Sequence, residues 1–297
     1  EIASCLVGSE MCIRDSIKGV NMKEIQFEQI EQAIYNAINE AACSLNQFTL
    51  NKIKLARKSE NNKIACGILD DIIKNDTLAS KEMIPMCQDT GIVVVFAKIG
   101  YDIHFNCDLY DAINSGVSKA YNDFYLRKSV ADPLSRINTK DNTPAIVHTV
   151  FTKGDMLELT IALKGAGSEN MSKLKMLNPT DGYEGITDFV IETIKEAGGR
   201  PCPPLFVGIG IGGDFEKCAL LAKEALMQED NSQNEEIKRL EETILNKINS
   251  LNIGPMGLGG NTTAFAVFIK TAPCHIASLP VAVNIQCHAN RHVKVVL

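Results

Sequence analysis

Five short segments of this 297-residue chain carry reactive side chains outside any periodic pattern. They are residues 86–91 (MCQDTG), 164–170 (KGAGSEN), 200–204 (RPCPP), 254–260 (GPMGLGG) and 286–292 (QCHANRH). Functional groups concentrate on loops held by a scaffold. Three of the five hold a cysteine beside proline, glycine or polar residues: Cys87, Cys202 and Cys287. Thiols in such settings are candidate metal ligands or nucleophiles. No C-x₂-C pair accompanies them, which disfavours a zinc ribbon or a bacterial-type ferredoxin site. A shared site would have to be assembled by the fold. Cys43, Cys66 and Cys218 lie within helical patterns and Cys107 begins one, so they read as core residues. His275, His288 and His292 crowd around Cys287, and Cys274 competes with it as a ligand. His104 and His148 sit in strand-like runs. Arg127 follows Phe124-Tyr125-Leu126 at a helix end, where either a solvated or a binding role is open.

A different motif points elsewhere. Gly208-x-Gly210-x-x-Gly213 matches the dinucleotide fingerprint between an expected strand and helix. That fingerprint needs a second strand ending in an acid about 20 residues on. Glu229 and Asp230 lie near that distance, but no strand precedes them, so a tight strand-to-helix turn is the better reading.

The elements that must hold these segments can be read from periodicity. Ile30, Ile34, Ile38 and Ala41 predict an amphipathic helix. Ile64, Ile68 and Ile72 predict another, ending at the turn signals Asn75-Asp76. Residues 92–99 read as a buried strand and 108–122 as a helix. Residues 145–151 and 157–163, split by Lys153-Gly154-Asp155, read as a hairpin. A helix over 184–197 ends at Gly198-Gly199. A strand over 205–211 precedes a helix near 214–228, and 230–249 reads as a solvated helix. Strands near 263–270 and 280–286 follow. The class is α+β, a single domain of mixed helices and small, largely antiparallel sheets.

Hydrophobic residues make up 45% and charged residues 22%, with a net charge of −6. That balance argues against nucleic acid or an anionic membrane as the main partner, and no apolar run is long enough for a membrane span. Residues 1–21 (EIASCLVGSEMCIRDSIKGVN) read as foreign. Their apolar stretch is broken by Ser4, Arg14 falls on the wrong side of it for a secretory signal, and SEMCIRDS resembles translated adaptor sequence. The expected native catalytic domain is therefore residues 22–297. Without a targeting signal the expected compartment is a reducing cytoplasm, where cysteines are thiols or metal ligands.

Taken together, CQDTG at 87–91, KGAGSENMS at 164–172, GGRPCPP at 198–204, GPMGLGGNTTA at 254–264 and HIASLPVAVNIQCHANRH at 275–292 closely resemble the iron–sulfur-dependent class I fumarate hydratases. More narrowly they resemble the separate α subunit of the two-chain fumarase and L-tartrate dehydratase type. The resemblance spans residues 22–297 in order. It implies a [4Fe–4S] cluster on Cys87, Cys202 and Cys287, with one iron free of protein ligands; Cys274 falls where the family has no ligand. It implies that Gln88, Arg127 and the Gly165 to Gly167 loop bind a small dicarboxylate, and that Asp89 and His275 serve in proton transfer. In the family that histidine comes from a second α subunit. The chain ends at Leu297 without the family's β-type domain, so the site is expected to be completed by a separate β subunit, with a β domain lost by truncation as the alternative. The implied reaction is reversible hydration of fumarate to L-malate, with L(+)-tartrate dehydration as the alternative. A NAD-dependent oxidoreductase and a non-catalytic assembly subunit are competing readings from other classes.

Overall fold

The computed structural model describes residues 22–297; the segment expected to be foreign lies outside the described residues. A short strand, β1 (Lys23–Ile25), leads into α1 (Phe27–Cys43), which buries Ile30, Ile34, Ile38 and Ala41 as their spacing predicts. The next helix, α2 (Gln47–Ser59), went unread because its buried stripe is only Thr49, Ile53 and Ala56. Asn46 opens it, accepting from the Thr49 N–H at 2.8 Å. Helix α3 (Lys63–Glu82) runs through the expected turn at Asn75-Asp76. The Asn75 side chain is engaged elsewhere, donating to the Met86 carbonyl at 3.0 Å, so it does not compete for local backbone.

Then come β2 (Ile92–Gly100), β3 (Ile103–Phe105), α4 (Leu109–Asp123), β4 (Ile146–Thr152) and β5 (Leu157–Lys164). A single turn, α5 (Ala166–Glu169), precedes β6 (Lys173–Leu177), and α6 (Gly182–Ala197) stops at Gly198, whose φ is +55°. The chain finishes with β7 (Leu205–Gly212), α7 (Phe215–Ala225), α8 (Glu235–Asn249), β8 (Ala264–Ala272), β9 (Leu279–Gln286) and β10 (His292–Val296). Helix α8 is less solvated than its composition suggests. It buries Ile244, Ile248 and Glu241, and the Glu241 carboxylate accepts from the Ile269 N–H of β8 at 2.9 Å.

Two four-stranded sheets carry the fold, in the orders β10-β5-β2-β4 and β6-β9-β7-β8. Each has two antiparallel junctions and one parallel junction. The mixed α+β class with small sheets holds, but the expected hairpin does not. β4 and β5 are not neighbours, because β2 lies between them, parallel to β4 and antiparallel to β5. β2 is IVVVFAKIG with only Lys98 exposed. So apolar a strand belongs at the sheet centre, while the largely exposed β4 takes the edge.

Helices α1 and α4 cover the first sheet around Ile34, Val95, Ile113, Val117 and Leu159. Helices α6 and α8 cover one face of the second, around Val190, Ile194, Val207 and Ile244. Helix α7 covers the other face, and here the supposed dinucleotide fingerprint finds its explanation. Gly208 and Gly210 lie inside β7, not in a phosphate loop. A β-carbon on Gly208 would stand 2.1 Å from the Ala222 carbonyl oxygen, and one on Gly210 2.0 Å from that of Cys218. These glycines let a helix lie directly on a strand. Gly210→Ala is therefore expected to cost on the order of 1–3 kcal/mol through overpacking. An unchanged urea midpoint for that variant would contradict the close approach.

Candidate active site

The strand register gathers the five reactive segments at one end of each sheet. In the first sheet Ile92 pairs with Lys164 and His292 with Ala162, so the start of β2, the end of β5 and the start of β10 coincide. In the second, Phe206 pairs with Gln286 and Leu205 with Ala264, so the starts of β7 and β8 meet the end of β9. The chain crosses between the sheets through residues 165–172 and 287–291, which are two of the five segments. The site is thus the seam between the sheets.

Cys87 stands on the loop before β2, Cys202 on the loop before β7 and Cys287 on the second crossing. Cys202 has φ of +57°, an uncommon backbone state for a side-chain-bearing residue, of the kind that clusters at functional sites. Its carbonyl accepts from the His288 N–H at 3.4 Å, tying its loop to the crossing. Gly199 and Gly257 stack the 198–204 and 254–260 loops, since a β-carbon on Gly257 would lie 2.6 Å from the Gly199 Cα. Burial raises the Cys202 thiol, and the negative charges of Cys287 and Cys87 raise it further. Burial also raises Cys287, opposed chiefly by Arg291 and then by the Ala289 amide and Lys164, while Cys87 adds to the rise. The three cysteines are therefore within electrostatic reach of one another. No group of three or more His, Cys, Asp or Glu converges as the ligands of one metal ion would among the described residues.

Asp89 bridges two loops. One carboxylate oxygen accepts from the Gly91 N–H at 3.0 Å and the other from the Ala166 N–H at 2.9 Å. Gly165 leaves room for this bridge, since a β-carbon would stand a tight 3.0 Å from the Asp89 carboxylate. The buried Tyr121 hydroxyl donates to the Thr90 and Gly91 carbonyls. Thr90 in turn donates to the Arg127 carbonyl at 3.0 Å, which brings Arg127 to the same rim. Gln88, Arg127 and Gly167 are exposed around the opening.

His275 is not with them. It sits in the exposed loop between β8 and β9, at the end of the second sheet away from Cys287. The eight residues of β9 separate the two, roughly 25 Å of strand. The Ala277 N–H donates to its Nδ1 at 3.1 Å, leaving Nε2 to face outward. His288 and His292 turn inward. Burial, then the Arg291 charge, push His288 down to about 4, so it is neutral at ordinary pH. His292 approaches Asn46 and Glu229 instead, on a cleft of about 990 Å³ that none of the three cysteines lines.

Sequence reasoning passed over the charges beneath the site. Lys164 is 4% exposed and donates to the Ser168 hydroxyl at 2.8 Å and the Ile285 carbonyl at 2.7 Å. Its ammonium lies 3.2 Å from the Glu169 carboxylate, which also pairs with Lys223 and accepts from Asn284. The available signal was a lysine closing a strand straight after the apolar run Ile161-Ala162-Leu163. Burial pushes Lys164 down to about 8 against the pull of Glu169. Burial pushes Glu169 up, but Lys164 and Lys223 outweigh it and hold the carboxyl at about 2. Because the folded value is depressed, this stabilisation is present above the ordinary carboxyl value of 4.5 and is lost as pH falls toward 2. Glu169→Gln is expected to flatten the fall in urea midpoint across that window. A variant with the wild-type slope would remove Glu169 from the account.

The chain is similar to known proteins over most of its length. The family model for fumarate hydratase (Fumerase) matches residues 31–296. A protein of Methanocaldococcus jannaschii, provisionally named L(+)-tartrate dehydratase subunit alpha, is 45% identical over 272 residues, covering 89% of this chain and 95% of the relative. The L(+)-tartrate dehydratase subunit alpha of Escherichia coli strain K12 is 30% identical over 275 residues, covering 91% of each. Both are named as subunits, and both are named for a dehydratase. No described helix is long and apolar enough to cross a membrane. Matched by the family model over most of its length and by relatives at 45% and 30% identity, the chain belongs to the fumarate hydratase family and is a hydro-lyase.

Proposed function

We propose that the chain is the α-type subunit of a two-chain hydro-lyase that hydrates fumarate reversibly to L-malate, with a [4Fe–4S] cluster on Cys87, Cys202 and Cys287. The observation carrying this reading is that the strand register brings the loops bearing Cys87, Cys202 and Cys287 to one seam, where Cys87 and Cys287 pack on a shared apolar cluster and the Cys202 carbonyl accepts from the His288 N–H. The donor set fits the cofactor. A cluster takes one thiolate at each of several irons, so its ligands stand farther apart than those of a single ion. Thiolates need compensating charge, and the buried Lys164 supplies it to Cys287. When bound, the cluster supplies Lewis acidity at its open iron, which eases the making and breaking of the substrate's carbon–oxygen bond.

The remaining work falls to the chain's own side chains. Arg127 and Gln88 bind the substrate carboxylates, and the Gly165 to Gly167 loop, exposed at Gly167, donates backbone N–H groups to them. Asp89, fixed by the Gly91 and Ala166 amides, moves the proton at the carbon next to a carboxylate. His275 serves the site of a second copy, because its own is far off along β9. A separate β subunit, suggested by the relatives' names, completes the enclosure.

L(+)-tartrate is a second reading, favoured by those same names; the two substrates differ by little that these residues would discriminate. The test is co-expression with a candidate β subunit, anaerobic purification, and assays on fumarate, malate and L-tartrate side by side. Activity on fumarate and malate is expected, with Asp89→Asn lowering kcat at unchanged iron content. Turnover of tartrate alone would overturn the substrate assignment.

A further inference from the structure

Arg291 is a buried cation without an evident use. It ends the second crossing, four residues after Cys287, and is 2% exposed. Its Nε and Nη1 have no hydrogen-bond partner among the described residues. Burying a guanidinium with unfilled donors is costly, so a fold that keeps one there holds it for something that binds. Its Nη2 lies 3.7 Å from the position a Gly165 side chain would take, which sets the group at the floor of the seam. The neighbouring carboxylates are engaged elsewhere: Asp89 by two backbone amides, Glu169 by Lys164 and Lys223. What lies beside Arg291 instead is sulfur, since the Arg291 backbone N–H and the Cys287 thiol both donate to the Ala289 carbonyl, at 3.0 and 3.7 Å.

We propose that Arg291 is the counter-charge of the sulfur ligand set, donating its free N–H groups to the sulfurs of a cluster held by Cys87, Cys202 and Cys287. It acts as a positioning residue that tunes the bound group without touching substrate, and the assignment rests on the cofactor reading above. N–H···S bonds and a fixed positive charge favour the more negative oxidation state, and so raise the midpoint potential. A guanidinium keeps its charge at any ordinary pH, so the effect is independent of pH.

The test uses the full chain loaded with iron and sulfide without oxygen, as wild type, Arg291→Lys and Arg291→Gln. Midpoint potentials come from redox titration followed by electron paramagnetic resonance, and melting of the iron-free chains reports folding separately. The Gln variant is expected to shift to a lower potential than wild type, and the Lys variant to shift the same way by less. If the Gln variant fails to fold, the Lys variant carries the test on the same terms. A loaded variant with the wild-type potential overturns the assignment, including where KM for a dicarboxylate rises instead, which would make Arg291 a substrate ligand. A wild-type chain that takes up no iron or sulfide overturns the cofactor reading, and the assignment with it.

Discussion

A Cys287→Ser chain, loaded with iron and sulfide without oxygen, is expected to fold normally yet lose the broad visible absorbance of an iron–sulfur cluster and nearly all hydro-lyase activity. The substitution changes one atom in a partly buried position, so between iron-free chains its effect on stability should stay at about 1 kcal/mol. Its effect on turnover should be far larger. Losing a Lewis acid that supplies several kcal/mol to the barrier corresponds to a rate loss on the order of 10³-fold or more. Cys202→Ser and Cys87→Ser should behave alike, because each thiol comes from a different loop and none has an obvious substitute. Cys66→Ser is the control. Its thiol is already engaged, donating to the Glu60 carbonyl at 3.3 Å, and both activity and iron content should persist. A Cys287→Ser chain that keeps its iron and turns over substrate would sink the ligand assignment.

The second large effect concerns His275. If it serves a neighbouring copy, His275→Ala should lower activity on the order of 10²-fold or more while leaving iron content untouched. Mixing provides the sharper measurement. Co-expressed His275→Ala and Cys287→Ser chains assort into pairs, and each mixed pair holds one site with intact cysteines and an intact partner histidine. Random assortment in a two-fold dimer should restore about a quarter of the wild-type rate. A mixture no more active than its components would return His275 to its own chain or remove it from catalysis. Ile276, 92% exposed beside it, suits a loop that meets another surface.

How far the sequence could be read differs between the helices and the seam. The stripe of Ile30, Ile34 and Ile38 was legible because a helix repeats its buried face every third or fourth residue. The three loop cysteines were legible as misfits in a chain whose helical Cys43 and Cys218 are buried, while Cys66, also read as core, is half-buried. Pairing was not legible. Nothing local in residues 145–163 tells that β2, some fifty residues earlier, would part the two strands; the preference of an apolar strand for a central place decides it. The charge system was hidden for a similar reason. Lys164, Glu169 and Lys223 become neighbours only when β5, α5 and α7 are packed, and a lysine in a sequence carries no mark of burial. Gly208 and Gly210 misdirected because a small residue signals close approach without saying what approaches.

The two crossings at residues 165–172 and 287–291 give the seam a mechanical meaning. Cys87 rides on the first sheet, Cys202 on the second, and Cys287 on the strap between them. Anything gripped by all three thiols closes a clasp across the two halves of the molecule, and prying the sheets apart then requires letting go of it. Loading and tightening become a single equilibrium, so the free energy of binding is also free energy of cohesion. A chain stripped of its occupant would work looser along the very line where substrate must later be held.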